Sequence, residues 1–395
     1  MTALLLSRQG IQVTILEQTR VFGNVGAGIQ LSSNASRVLQ GMGLIEELMP
    51  ACTIPDTLEI RNASNGNRTF ERPLGKVIEA QFGAPYLCVH RADLHALLVK
   101  HVQQSSNIEL HLDMHCTALG DDDHSAWAVT EQRTGATQRF EAEILIGADG
   151  INSIARQHLF GAENPRFTGC VAWRALIPVE KLTNVEIRNI SAIWMGPKAH
   201  FVHYLVRGGQ MLNFVAVVEQ DGWEVESWTE PGRKEELLSS FRGWRHPVEA
   251  MLNAADPSSC FKWALFDRKP MPAWSRGRIT LLGDACHPTL PFLAQGACMA
   301  IEDAAVLTHC LSAADSIEGA FARYESTRRD RTAEIQETSW KNKALYHMPW
   351  ALAVLRDIGT PAMMKILNGR LNRLYGYDAY TASGLATKLT GVNQG

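Results

Sequence analysis

The chain lacks any run of eighteen apolar residues, any Cys-x-x-Cys pair, any internal repeat or low-complexity tract, and any surplus of positive charge. The first absence excludes a membrane-spanning helix. The eight cysteines (Cys52, Cys88, Cys116, Cys170, Cys260, Cys286, Cys298 and Cys310) are scattered. Neither a metal site nor a disulfide framework is therefore expected, and a reducing, cytoplasmic compartment fits. A formal net charge of -3 leaves no basic footprint for nucleic acid or an anionic membrane. The N-terminus has no basic lead-in and no cleavage site, so it does not read as a signal peptide. No Gly-x-Gly-x-x-Gly turn occurs anywhere in the chain. What remains is ordinary globular composition, 46% hydrophobic and 20% charged over 395 residues, enough for two or three cores.

One stretch stands out against that background. Ile279 to Leu282 is a short apolar run closed by Gly283, the pattern of a buried strand in a parallel sheet. Asp284 follows at the carboxyl end of that strand, where open α/β sheets bind ligands. After the loop through His287, Pro288 and Pro291, Gly296 opens a helix. Its apolar positions Ala297, Ala300, Ile301, Ala304, Thr308 and Leu311 keep the helical period. The first amides of such a helix have no intrahelical partner and form a site for negative charge. A second strand-then-turn, Ile144 to Gly147 followed by Ala148, Asp149 and Gly150, runs on into Ser153 and Arg156.

Together these two segments are similar to the second flavin-binding motif and the Asp-Gly motif of the single-component FAD-dependent aromatic hydroxylases, the p-hydroxybenzoate hydroxylase superfamily. The second matches Gly-Ala-Asp-Gly-x-x-Ser-x-x-Arg at every fixed position, and the two occur in the family's order. Further likenesses lie at Ala172-Trp173-Arg174, Trp263 to Arg268, Tyr324 to Arg328 and Leu374 to Asp378. They point to the branch holding 3-hydroxybenzoate 6-hydroxylase and salicylate hydroxylase.

The resemblance implies an α/β fold with a Rossmann-like FAD-binding domain interleaved with a β-sheet substrate domain and followed by C-terminal helices. The expected division is 1–53, 86–164 and 266–345 for FAD, 54–85 and 165–265 for substrate, and 346–395 for the helical segment. Members of this family begin with a strand and a Gly-x-Gly-x-x-Gly turn. Here residues 1–10 already read as the helix after that turn, with Gly10 as its stop, and Gln12–Glu17 as the next strand. The chain is therefore expected to be N-terminally truncated or to have been given too late a start, and to hold flavin poorly.

Several residues follow from the resemblance. Glu17 would meet the adenosine ribose, Gly28 would lie along the flavin, and Arg91 would contact the phosphate and ribityl region. Asp149 and Gly150 would lie near flavin and nicotinamide. Asp284 would take the ribityl hydroxyls, with Pro291, Gly296 and Ala297 beside the isoalloxazine. Blander readings stand beside some of these: a helix capped by Ser32 or Ser33 after the Gly28 loop, and an ion pair between Arg91 and Asp93.

On the strand ending at Val206, His200, Val202 and Tyr204 share a face by the two-residue period. Across the Arg207-Gly208-Gly209-Gln210 turn, Tyr204 is expected opposite Asn213. His200 and Tyr204 resemble the His and Tyr of 3-hydroxybenzoate 6-hydroxylase, and Gln295 its glutamine, which makes these three the catalytic candidates. A structural role for His200 is the competing reading. His203 points to the other face, and His287 reads as a loop-fixing donor.

The expected reaction uses FAD, NADH or NADPH and dioxygen to hydroxylate a small phenolic aromatic acid. Conversion of 3-hydroxybenzoate to gentisate comes ahead of salicylate to catechol. A relative that keeps the fold without binding flavin is the rival. A monomer or homodimer is expected.

Overall fold

The computed structural model describes residues 1–23, 26–222, 230–231, 233–350, 352–353 and 360–384. Parallel strands and helices form one layer. Val13–Leu16 pairs in parallel with Ile108–His111, and Leu145–Gly147 pairs in parallel with Ile279–Leu281. These two pairs form separate small sheets among the described residues, the second extended by Ser275–Arg276. Gly147 is required where it stands. A Cβ there would lie 2.4 Å from Ala155 Cβ and 3.0 Å from a Leu281 methyl, so helix Ile154–Phe160 seats directly on the strand.

The other layer is an eight-stranded sheet. Its order is Glu230–Pro231, Phe261–Asp267, Arg166–Pro178, Met211–Glu219, Ala199–Val206, Ile190–Gly196, Thr57–Asn62 and Arg68–Pro73. All neighbours are antiparallel except Ile190–Gly196 with Thr57–Asn62. The expected hairpin is present in the expected register, with Tyr204 opposite Asn213.

Strand periodicity divides the sheet's side chains between two cores. The outer one takes Trp173, Phe201, Phe214 and Trp244 under helices Lys234–Ser240 and Val248–Ala254. The inner one takes Ala172, Tyr204, Val217, Phe292, Tyr346 and Tyr375, and so lies between sheet and helical layer. A third cluster, including Leu31, Val89, Leu281 and Ile301, fills the helical layer itself.

The helix Gly296–Ala313 is locked to the 30-residue helix Ile317–Tyr346 by buried charge. Arg328 meets Glu302 and Asp303 at 2.7 Å each, and Arg331 meets Glu302 at 2.7 Å. The expected segment Met363–Gly369 falls within helix Thr360–Tyr375, which docks on the sheet through Leu371, Tyr375 and an Arg72 Nη2 to Asn372 Oδ1 bond of 2.7 Å. Of the expected Trp350–Leu355 helix, positions 351 and 354–355 lie outside the described residues. Among the described residues no helix is long and apolar enough to cross a membrane.

Candidate active site between the helical layer and the large sheet

On the helical side, Asp284 sits in the tight turn Gly283–Ala285 directly after strand Ile279–Leu281. Gly283 has φ +64°, which bends the chain so that its amide donates to Asp303 Oδ2 at 3.2 Å. Asp284 is accessible to solvent, yet its protein surroundings raise its carboxyl by desolvation, against the attraction of His287 and Arg91. It has no hydrogen-bond partner among the described residues. An acceptor held this way and left unspent is suited to hydroxyls of a bound molecule.

Gly296 does open the helix, with Ala297 in its first turn, and Pro291 starts the short turn Pro291–Leu293 before it. Arg91 begins helix Arg91–Gln104, is exposed, and has no acidic partner among the described residues. Asp93 pairs instead with Arg207, at 3.1 Å. Glu17 directly follows strand Val13–Leu16 and accepts from the Thr19 amide at 2.8 Å.

Asp149 is occupied structurally. Its carboxylate accepts from the amides of Ile154 and Ala155 at 2.8 and 3.1 Å, capping the helix that Ser153 also caps. Gly150 has φ +76° and makes the turn between them. Helix Ser33–Gly41 has no side-chain cap. The Ser32 hydroxyl instead donates to Asn34 Oδ1 at 2.5 Å and accepts from Gln295 Nε2 at 2.9 Å.

On the sheet side, Gly28 touches the inner face. Its amide donates to Asn213 Oδ1 at 2.7 Å, while Asn213 Nδ2 stays buried without a partner among the described residues. Tyr204 lies against the same glycine, and burial raises its phenol. Arg174 shares this face by the strand period, stacks over Trp263 at 4.4 Å and has no acidic partner among the described residues. Desolvation lowers the pKa of its guanidinium, and the nearby Tyr204 partly offsets this.

His200 is 2% exposed, with the rings of Phe292 and Tyr346 at 4.8 and 5.3 Å. Burial, and then His347, hold it well below the ordinary histidine range, so it is neutral at pH 7. A buried neutral imidazole can accept a proton.

The structure brings Tyr204, Gly28 and Asn213 together, but commits Gln295 elsewhere. The Gln295 amide is engaged at both ends, donating to Ser32 and accepting from Asn34 Nδ2 at 3.0 Å. His287 bonds Asp303 at 2.5 Å, as a loop-fixing residue should. Burial disfavours its charge, but Asp303 outweighs this and raises its pKa. Cys286, His287 and Asp303 have ligand atoms within 4.8 Å of one another. Since Asp303 already serves His287 and Arg328, this is an ion-pair hub rather than a metal-ligand set.

Residues 1–339 match the family described as FAD binding domain. The chain is 37% identical over 385 residues to 3-amino-4-hydroxybenzoate 2-monooxygenase PtmB3 of Streptomyces platensis, covering 95% of this chain and 92% of that one. It is 37% identical over 344 residues to 6-hydroxynicotinate 3-monooxygenase of Bordetella bronchiseptica, covering 86% and 87%. It is 36% identical over 359 residues to 3-hydroxybenzoate 6-hydroxylase of Klebsiella oxytoca, covering 88% and 85%. The chain belongs to the FAD-dependent aromatic monooxygenases.

The residues present fit the phosphate, ribityl and ring portions of such a flavin. Asp284 is an unspent acceptor, Arg91 an unpaired cation, Asn213 Nδ2 an orphaned donor, and the start of helix Gly296–Ala313 a cluster of free amides.

Sequence reasoning did not single out Arg174 or His347 as site residues. Arg174 lay in a quoted motif, and its unpaired state needs the third dimension. His347 is 147 residues from His200, and no local pattern joins them.

Proposed function

We propose that this member of the family hydroxylates a small phenolic aromatic acid with NADH or NADPH and dioxygen, and that its substrate is 3-hydroxybenzoate, converted to gentisate. The observation that supports this reading is the inner sheet face, which carries a neutral buried histidine, a tyrosine and an arginine without an acidic partner among the described residues. The histidine ring lies 4.8 Å from that of Phe292, on the segment between Asp284 and helix Gly296–Ala313. When bound, FAD would pass two electrons from the nicotinamide to dioxygen, which is the source of the oxygen atom that is transferred.

The protein's own part is binding, orientation and proton handling. Arg174 offers a bidentate partner for the carboxylate. His200 takes the hydroxyl proton, because a phenolate ring attacks an electrophilic oxygen far better than a phenol does. Tyr204 and Asn213 set the ring's position against Gly28.

Arg174 aligns with Val215, and Val215 with Val202, so arginine and histidine strands are two apart. His200 lies two residues from Val202 along its strand, so the two backbones are about 12 Å apart at the usual strand spacing and rise. This separation suits a carboxylate and a hydroxyl on non-adjacent ring carbons better than the adjacent pair of salicylate.

FAD-loaded protein screened with hydroxybenzoates, aminohydroxybenzoates and hydroxynicotinates for stimulated NADH and NADPH oxidation, with products identified, tests the reading. Gentisate from 3-hydroxybenzoate is expected. Catechol from salicylate with no turnover of 3-hydroxybenzoate would replace the substrate, and oxidation unaffected by any aromatic acid would overturn the function.

A further inference from the structure

His200 does not end in the core. Its Nδ1 lies 2.7 Å from Nε2 of His347, whose own Nδ1 lies 2.9 Å from Oε1 of Glu219. The three groups form one hydrogen-bonded line from the inner sheet face outward. His347 is buried, with a side chain 2% exposed, whereas the Glu219 side chain is 33% exposed. Glu219 also lines a surface cavity of ≈ 320 Å³ with Lys198, Gln220 and Glu236. Backbone bonds hold the line in place. The Lys198 amide donates to the His347 carbonyl at 3.1 Å, and the Glu219 amide donates to the Lys198 carbonyl at 2.7 Å. His347 follows the last turn of helix Ile317–Tyr346, where the helix dipole favours a transient positive charge.

We propose that His200, His347 and Glu219 form a proton relay that carries the substrate's hydroxyl proton from the buried face to solvent. The proposal rests on His200 acting as the base. A proton arriving at His200 Nε2 releases the one on Nδ1 to His347 Nε2. The proton on His347 Nδ1 then passes to Glu219 Oε1 and on to water. Each transfer breaks one N–H or O–H bond and forms another, and no electrons change hands. Running backward, the line re-protonates the product phenolate and resets both imidazole tautomers.

Two mutually satisfied histidines would need no third member. The third here is a carboxylate open to water, which gives the line an outlet. Burial keeps both imidazoles neutral, and in His347 it outweighs the neighbouring carboxylate. The other titratable groups facing the line leave it intact. Lys343 is anchored on the Thr168 carbonyl at 2.7 Å, and the Tyr346 hydroxyl donates to the Phe292 carbonyl at 3.2 Å. Lys198 and Glu236 face Glu219 across the cavity.

Two measurements on the full chain test the relay. In ¹⁵N NMR of the imidazoles, which needs no flavin or substrate, His200 and His347 are expected to respond as one coupled system. Glu219→Gln should therefore shift the His200 resonances two links away, and Glu219→Asp should restore them. In weakly buffered solution with an indicator dye, 3-hydroxybenzoate binding to FAD-loaded protein should release a proton. Glu219→Gln and His347→Gln should slow that release about a hundredfold, the scale of a lost acid–base group, with Glu219→Asp recovering it.

Unperturbed His200 resonances in Glu219→Gln would overturn the relay. Wild-type release rates in both relay variants, with release lost in His200→Gln, would overturn it and leave the base standing. Release unchanged in His200→Gln would remove the base and the relay together.

Discussion

The amide of Gly28 donates to Asn213 Oδ1 at 2.7 Å across the seam between the helical layer and the large sheet. The strand Gly28–Leu31 reaches the sheet only because position 28 has no side chain. A Cβ there would stand 2.7 Å from Tyr204 Cε2 and 2.8 Å from Asn213 Cγ. The helical layer and the large sheet are thus held close here by this hydrogen bond and a missing methyl, beside the Gln30 Nε2 to Ser191 Oγ bond of 2.8 Å.

Gly28→Ala should therefore destabilise by about 1–3 kcal/mol through overpacking, and should displace Tyr204 as well. Urea unfolding gives the first quantity and aromatic-acid affinity the second. Wild-type values of both in the variant would place slack at the seam that the geometry does not show.

Asp284→Ala should weaken FAD retention roughly tenfold to a hundredfold, the worth of one charge-assisted hydrogen bond. Flavin fluorescence titration reads this directly. Equal affinity for FAD would remove Asp284 from the site.

His200→Ala should lower hydroxylation about a hundredfold or more while changing flavin affinity little. Pyridine-nucleotide oxidation should persist with oxygen diverted to hydrogen peroxide, so product per nucleotide consumed is the informative ratio. An unchanged ratio would return His200 to a purely structural role.

Stability should fall on the acid side through His203. Burial, then the nearby Arg61, hold its pKa at about 4, and its Nε2 is buried without a partner among the described residues. The unfolded chain binds this proton below about pH 6.5 while the folded chain refuses it until about pH 4. The stability His203 allows at neutral pH is therefore lost as pH falls across that window, by about 3 kcal/mol in all. His203→Leu should flatten the slope of unfolding free energy between pH 6.5 and 4, and an unaltered slope would assign it to other groups.

Asp303→Ala should cost about 3–5 kcal/mol, because Arg328 and His287 would each lose a carboxylate inside the core. Thermal unfolding at pH 7 measures it. A loss below 1 kcal/mol would show that Glu302 alone neutralises Arg328.

Local chemistry made much of this protein legible from its residues. A strand closed by Gly283, the acid after it and the helical period from Gly296 are short-range patterns, and the structure has the strand, turn and helix there. The hairpin register pairing Tyr204 with Asn213 was equally local, since a short turn leaves alternation no freedom. Pairings over long separations had no such signature. Gln295 read as a catalytic candidate, and its amide turns to Ser32 and Asn34, over 250 positions earlier in the chain. Asp149 read as a cofactor contact, and one of its oxygens also caps the helix that follows it, on the amides of Ile154 and Ala155. The line from His200 through His347 to Glu219 exists because a 30-residue helix ends against two neighbouring strands. Sequence determined the elements and the turn chemistry, because those depend on residues a few positions apart. The tertiary structure alone decided which polar groups are spent on one another and which remain free for a ligand, because burial and partnership depend on packing between distant segments.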